Sequence, residues 1–199
     1  VSEAPGMATV DADVVIVGGG PSGLSAAAEL RGSGAGRVIV LERETEAGGI
    51  PRHSDHPGYG ILDLHRFDSG PEYAKRLISR ARKLGVEIRT GTTVTSWASS
   101  DRAGSGPAAS GLALEATSTA GREVYRARAI LLATGCRERP RSARLVPGMR
   151  PPAGVYTTGY LQQAVHLHAS SIGRRAVVVD RQILLHHGAP HAEVHGACS

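Results

Sequence analysis

The stretch Asp13-Val14-Val15-Ile16-Val17-Gly18-Gly19-Gly20-Pro21-Ser22-Gly23-Leu24 decides the fold. Asp13 to Val17 is a short, β-branched apolar run, the pattern of a parallel strand buried on both faces. It stops at three glycines. From Ser22 the spacing turns helical, with Leu24, Ala27, Ala28 and Leu30 on one stripe, and the glycines between Gly32 and Gly36 end it. Val38 to Leu41 is a second buried strand. A strand, a tight turn, a helix and a parallel strand form a right-handed crossover, the first half of a Rossmann-like unit.

The turn satisfies GxGxxG directly after a strand and directly before a helix, running from Gly18 through Gly19, Gly20, Pro21 and Ser22 to Gly23. Gly18 permits the tight turn, Gly20 leaves the backbone open to a pyrophosphate, and Gly23 permits close packing of helix on strand. The helix N-terminus adds free N–H groups and a positive dipole end. Glu42 ends the second strand about 20 residues past the loop, where a carboxylate accepts the ribose hydroxyls of an adenosine and repels a 2′-phosphate. These features specify a dinucleotide and leave NAD and FAD both open.

Outward from this unit, residues 46 to 70 are rich in Gly, Pro, His and Asp, which reads as a long functional loop. Tyr73 to Leu84 has the spacing of an amphipathic helix stopped by Gly85, and Val86 to Arg89 reads as a third parallel strand. Thr92 to Trp97, Leu112 to Thr117 and Glu123 to Arg128 alternate like antiparallel strands, with a flexible tip at Ser99 to Gly111. Ala129 to Ala133 reads as another buried strand ending at Thr134-Gly135, and Pro147 to Gly154 as a linker. A helix near Leu161 to His168 and a strand at Ala176 to Val179 follow. No repeat with a period of 20 to 50 residues is visible, although Arg175 to Val179 echoes the first strand.

Glu42-Arg43 followed by Gly48-Gly49, and Ala129 to Leu132 leading into Ala133-Thr134-Gly135, resemble the corresponding motifs of flavoproteins with two dinucleotide-binding domains. That superfamily is the pyridine nucleotide-disulfide oxidoreductase-like one, and the likeness covers roughly residues 13 to 135. Gly48-Gly49-Ile50-Pro51-Arg52-His53, Gly135 to Pro140, Tyr156 to Gly159 and Leu161 to Gln163 are similar to one branch of it. That branch comprises FAD-dependent oxidoreductases related to opine oxidase, hydrogen cyanide synthase and sarcosine oxidase alpha-type subunits.

The resemblance implies FAD as cofactor and oxidation of a C–N bond, with hydride passing to the flavin. It implies cofactor contacts at Gly18 to Gly23, Glu42, Arg43, Gly48, Gly49, Ile50, His53, Val94, Ala133, Thr134 and Gly135. It implies a small-molecule substrate and partner subunits of a hetero-oligomeric oxidase. The expected architecture is α/β, a parallel Rossmann-like sheet with an antiparallel ribbon over residues 1–147. A linker and an incomplete second dinucleotide-binding unit are expected over 148–199.

The second unit departs from the pattern. Asp180 to Ile183 stands where a glycine loop belongs, Leu184 to Gly188 reads as a helix end, and Ala192 to Val194 as the next strand. Only 13 residues separate Val179 from Ala192, against 21 between Val17 and Val38, too few for a loop and a crossover helix. A second nucleotide site is not expected. The chain also stops short of the C-terminal segment in which the resemblance places a flavin-holding Gly-Asp pair, so it reads as a shortened flavoprotein.

The remaining residues narrow the function classes. Aromatic residues make up 4% of the chain, which offers no stacking platform for bases, and the net charge of +5 is scattered over many arginines. Nucleic acid is therefore not an expected partner. No apolar run approaches the length of a membrane span, and Val1 to Asp13 lacks signal-peptide regions, so a cytoplasmic location is expected. Cys136 and Cys198 form no CxxC pair. Cys136 reads as a small buried thiol and Trp97 as a core residue of the ribbon. His53, Asp55 and His56 suit loop hydrogen bonding, or proton transfer beside a flavin. His186, His187, His191, His195 and Cys198 fit no closed metal site. Arg137, Arg139 and Arg141 read as a solvated run, or as a carboxylate-binding one. Against the flavoenzyme stand an NAD-dependent dehydrogenase and a non-catalytic flavin-binding remnant.

Overall fold

The computed structural model describes residues 7–98, 112–138, 143 and 156–172, together with the backbone of two short strands at 175–177 and 193–195. The chain divides into two compact units, Val1–Arg52 with Pro57–Cys136, and His53–His56 with Arg137–Ser199.

The first unit is built on a six-stranded sheet. β1 (Ala8–Val17), α1 (Pro21–Gly32) and β2 (Val38–Leu41) form the expected parallel crossover, with β1 starting five residues before Asp13. β3 (Pro57–Tyr59) and β4 (Asp68–Ser69) form a small antiparallel pair, and α2 (Gly70–Lys83) leads into β5 (Glu87–Arg89). β6 (Thr93–Trp97), β7 (Leu112–Ser118) and β8 (Gly121–Leu132) complete the order β5-β2-β1-β8-β7-β6. The first four are mutually parallel, and β6, β7 and β8 pair antiparallel.

Why β2 is apolar at every position follows from the packing. Val38 and Val40 join Ile16 with Leu24 and Ala27 of α1 and Leu77 and Ala81 of α2. Ile39 and Leu41 point the other way and cluster with Val15, Leu114 and Ala116 of β7, and Tyr125 and Ala127 of β8. Helices cover one face and the antiparallel ribbon covers the other, so all four residues of β2 are buried. α2 begins at a capping box in which Ser69 and Glu72 satisfy one another's backbone donors. It therefore starts three residues before the apolar stripe that first marks it, and it stops at Gly85, whose φ of +80° suits glycine.

Four expectations about the strands and the loop are corrected. Glu123–Arg128 and Ala129–Ala133 are not two strands but one, β8, paired with β1 through both of its halves. Its second half is not buried: Leu131 and Leu132 are 39% and 59% exposed. The cause is that β7 pairs with β8 only as far as Ala127, so beyond it β8 has a described neighbour on one side alone. Trp97 is 58% exposed rather than in the core, because β6 is the outermost strand of the ribbon. The 46–70 loop also holds more structure than its composition suggests, with a 3-10 turn at Ile50–His53 and the β3–β4 pair.

In the second unit, α3 (Thr158–His166) starts beside Glu138, whose Oε2 accepts the Gly159 N–H at 2.7 Å. Tyr156 and Tyr160 stack with ring centroids 5.6 Å apart. β9 (Arg175–Val177) and β10 (Glu193–His195) form a parallel pair, the relation expected of strands from a Rossmann-like unit. The ribbon tip, the linker, Arg139, Arg141, Asp180 to Gly188, His191 and Cys198 lie outside the described residues.

Polar groups tie the ribbon to the parallel sheet. The Tyr125 hydroxyl donates to Glu123 at 2.6 Å and accepts from Arg89 at 2.8 Å, with the guanidinium over its ring. Burial and the Glu123 bond push the Tyr125 phenol up to about 12. Asp11 and Arg126, register partners on β1 and β8, form a two-pronged ion pair at 2.7 and 2.8 Å. The hydrogen bond from Arg126 holds the Asp11 carboxyl below its usual range. A carboxyl depressed in the folded state stabilises above the ordinary aspartate pKa of about 3.9, and that contribution disappears as pH falls through the lower folded value. Asp11→Asn is thus expected to lower the melting temperature at pH 7, by an amount that shrinks as pH falls below the ordinary aspartate range and vanishes once the folded carboxyl is protonated. Calorimetry of the two proteins across that range checks it.

Candidate functional site

The glycine loop that follows β1, the corner at Glu42 that ends β2 and the Gly48-Gly49 turn beyond it meet beside Ala133, which follows β8. At the first, Gly18 has a φ of +110°, and a Cβ there would lie 2.3 Å from the Ala133 carbonyl oxygen. The Ala133 N–H in turn donates to Val17 O at 2.8 Å. A Cβ on Gly23 would lie 2.0 Å from Gly18 O. Both glycines are therefore required by the protein's own packing. Gly20 is different. Its φ is −79°, open to any residue, and a Cβ there would meet only Gly49 Cα at 3.9 Å. Nothing among the described residues asks for glycine at position 20.

Gly20 is also the N-cap of α1, with Pro21 at the first helical position and no side chain capping the end. Pro21 needs no N–H there, and Ser22 and Gly23 offer theirs beside the helix dipole. This end of α1 is suited to an anion.

Glu42 stands on the other side of the loop, 7% exposed at the end of β2. Its Oε2 accepts the Gly19 N–H at 2.8 Å and its Oε1 accepts the Glu44 N–H at 2.9 Å. A carboxylate has about four acceptor positions, so two remain for a vicinal diol. Arg43 is mostly exposed and pairs with Glu44, at 3.2 Å.

The third turn is Gly48-Gly49, joined to the first by a Gly48 N–H to Gly19 O bond of 2.7 Å. The two residues have φ of +121° and +63°, and a Cβ on Gly48 would lie 2.9 Å from both Ala74 and the stem of Arg52. Backbone shape and packing by themselves explain this glycine pair. Ala47, buried against Gly19, went unnoticed in the sequence because one alanine among polar residues carries no pattern. Arg52 and Glu46 bracket the glycine pair, and their residue types alone give them no role there.

The structure thus gathers Gly18 to Gly23, Glu42, Gly48, Gly49 and Ala133. Thr134 and Gly135 follow as an exposed turn, with Gly135 at φ +70°. Ile50 is 53% exposed beside the third turn. Val94 lies on β6 and packs on the cluster under the ribbon. His53 is buried and groups with the second unit. Cys136 is exposed, not buried, because it follows the Gly135 turn beyond the end of β8.

Residues 12–179 match the family described as pyridine nucleotide-disulphide oxidoreductase. The chain belongs to that family. It is 33% identical over 160 residues to the A subunit of opine oxidase from Agrobacterium tumefaciens (strain Ach5), covering 77% of this chain and 29% of that protein. Its fold is similar to that of L-proline dehydrogenase from P. horikoshii, with a TM-score of 0.67 at 17% identity, over 87% of this chain and 32% of that one. A geranylgeranyl bacteriochlorophyll reductase-like protein from Thermoplasma acidophilum is similar too, at 18% identity and a TM-score of 0.50, over 64% of this chain and 40% of that one. These folds bear out the Rossmann-like sheet with its antiparallel ribbon. The chain spans less than a third of the length of the curated relative it matches. Among the described residues no helix is long and apolar enough to cross a membrane.

The two kinds of glycine respond differently to an added methyl group. Gly23→Ala is expected to lose about 1–3 kcal/mol of stability through overpacking against Gly18. Gly20→Ala is expected to cost less, at most about 1 kcal/mol for alanine in place of glycine at an N-cap, since its backbone already suits alanine. Urea unfolding of both variants checks the contrast.

Proposed function

We propose that this chain is the FAD-binding part of an oxidoreductase that oxidises a C–N bond of a small amine or amino acid, the hydride passing to the flavin from the carbon that bears the nitrogen. The observation that carries the reading is Gly20, a glycine that the fold does not need, at an uncapped helix N-terminus beside a buried carboxylate. A pyrophosphate seated against that backbone supplies the missing reason for it. The groups present fit the dinucleotide. Glu42 has acceptor positions left for the adenosine ribose, Ser22 and Gly23 offer N–H groups to the phosphates, and Gly48-Gly49 borders the path beyond them.

When bound, the flavin supplies the two-electron acceptor for the substrate's hydride. What the chain contributes is orientation. Glu42 anchors one end of the ligand and is itself fixed by two backbone donors, so it loses little freedom on binding. Arg43, Ile50, His53, Val94, Thr134 and Gly135 belong to the same proposed set of contacts, with the nucleotide-binding portion running to about residue 147.

The substrate class and the working assembly rest on the likeness to the opine oxidase protein, whose name gives it an opine to oxidise and a place among subunits. By the same reading this chain works with partner subunits in the cytoplasm.

Purified protein is expected to be yellow, or to gain melting temperature on adding FAD, since a ligand at 100 times its Kd contributes about 2.7 kcal/mol. Gly20→Ala is expected to weaken FAD binding at least about tenfold while remaining folded. A colourless protein that FAD does not stabilise would sink the reading. Stabilisation by NAD with no response to FAD would replace it with an NAD-dependent dehydrogenase.

A further inference from the structure

We infer that Arg52 is a positioning residue that holds the Gly48-Gly49 turn for the flavin half of the dinucleotide, through a clamp on Glu46. The inference rests on the FAD reading and extends it from the adenosine half of the ligand to the other half.

The clamp is a closed ring in the chain. The Arg52 guanidinium donates to Glu46 twice, Nη1 to the backbone carbonyl at 3.1 Å and Nη2 to Oε2 at 2.8 Å. The Arg52 N–H donates to Gly49 O at 3.1 Å, and the stem of the side chain lies against Gly48. Although Glu46 is exposed, the Arg52 side chain is only 18% exposed, so its packing is unlike that of a surface cation. Ala74 of α2 closes on the same face of Gly48 as the Arg52 stem. With φ of +121° and +63°, the pair has glycine's wide conformational freedom, and the ring takes it away.

The order of groups along the loop gives the clamp its direction. Glu42 bonds to Gly19, while Gly49 approaches Gly20. A ligand whose adenosine ribose is fastened at Glu42 and whose pyrophosphate rests on Gly20 therefore carries its second half past Gly49. The Gly48-Gly49 turn meets the ligand at the pyrophosphate seat beside Gly20 and borders that half beyond it. Loosening the turn removes an ordered wall along which the second half of FAD lies, whereas ADP, ending at the pyrophosphate, meets only its edge.

The test compares two ligands on the full chain by calorimetry. Arg52→Ala is expected to raise the Kd for FAD at least about tenfold, the scale of one charge-assisted pair, and to leave the Kd for ADP within about twofold. Glu46→Ala breaks the ion pair at an exposed side chain without disturbing the packed stem. It is expected to weaken FAD by about threefold, again sparing ADP. Equal weakening of FAD and ADP by Arg52→Ala would make Arg52 a general structural residue and overturn the inference. FAD affinity unchanged in both variants overturns it as well. A wild-type chain that binds ADP but not FAD overturns the flavin reading itself, and this inference with it.

Discussion

A buried carboxylate satisfied by backbone N–H groups holds the first unit together at its functional end. Glu42 accepts from Gly19 and from Glu44, one on each oxygen. Its own backbone joins the strands around it, the N–H donating to Arg89 O and the carbonyl accepting from Thr92. One residue thereby fixes the glycine loop, the chain leaving β2 and the chain leaving β5. Charge-assisted bonds to backbone donors are stronger than neutral ones, and they hold the loop in shape before any ligand arrives. The turns at Gly18 and Gly48 then close on a loop that is already set.

The sequence was most legible where one physical requirement wrote one pattern. The β1–α1–β2 crossover, the helix before Gly85 and the parallel β5 all follow from periodicity and stop signals, and the structure has them within a few residues. GxGxxG marked the right turn, yet it merged two kinds of glycine. Gly18 and Gly23 answer to the fold's own packing, and Gly20 does not. Only the geometry separates them, because the motif is the same string whichever reason applies.

The misreadings share a cause. An apolar run says that a strand is apolar, not which strands lie beside it. Ala129 to Leu132 reads as buried, but its exposure was decided by where β7 stops pairing, which no local pattern records. Trp97 was misplaced for the same reason, its surroundings being set by its position at the sheet's edge. The Arg52–Glu46 ring escaped notice because a six-residue spacing has no meaning until the chain turns back on itself at two glycines. Such contacts depend on register and turn shape, and both are properties of the fold.

The far half of β8 has a material consequence. Ala129 to Leu132 pairs with β1 on one side, and no described strand pairs with it on the other. Beside it an open groove of about 440 Å³ is lined by Val14, Ala26, Glu29, Leu30 and Ala129 to Leu131. Among the described residues this half of β8 is held by β1 alone, while the first half is paired on both sides, so it is the part of the strand expected to open first.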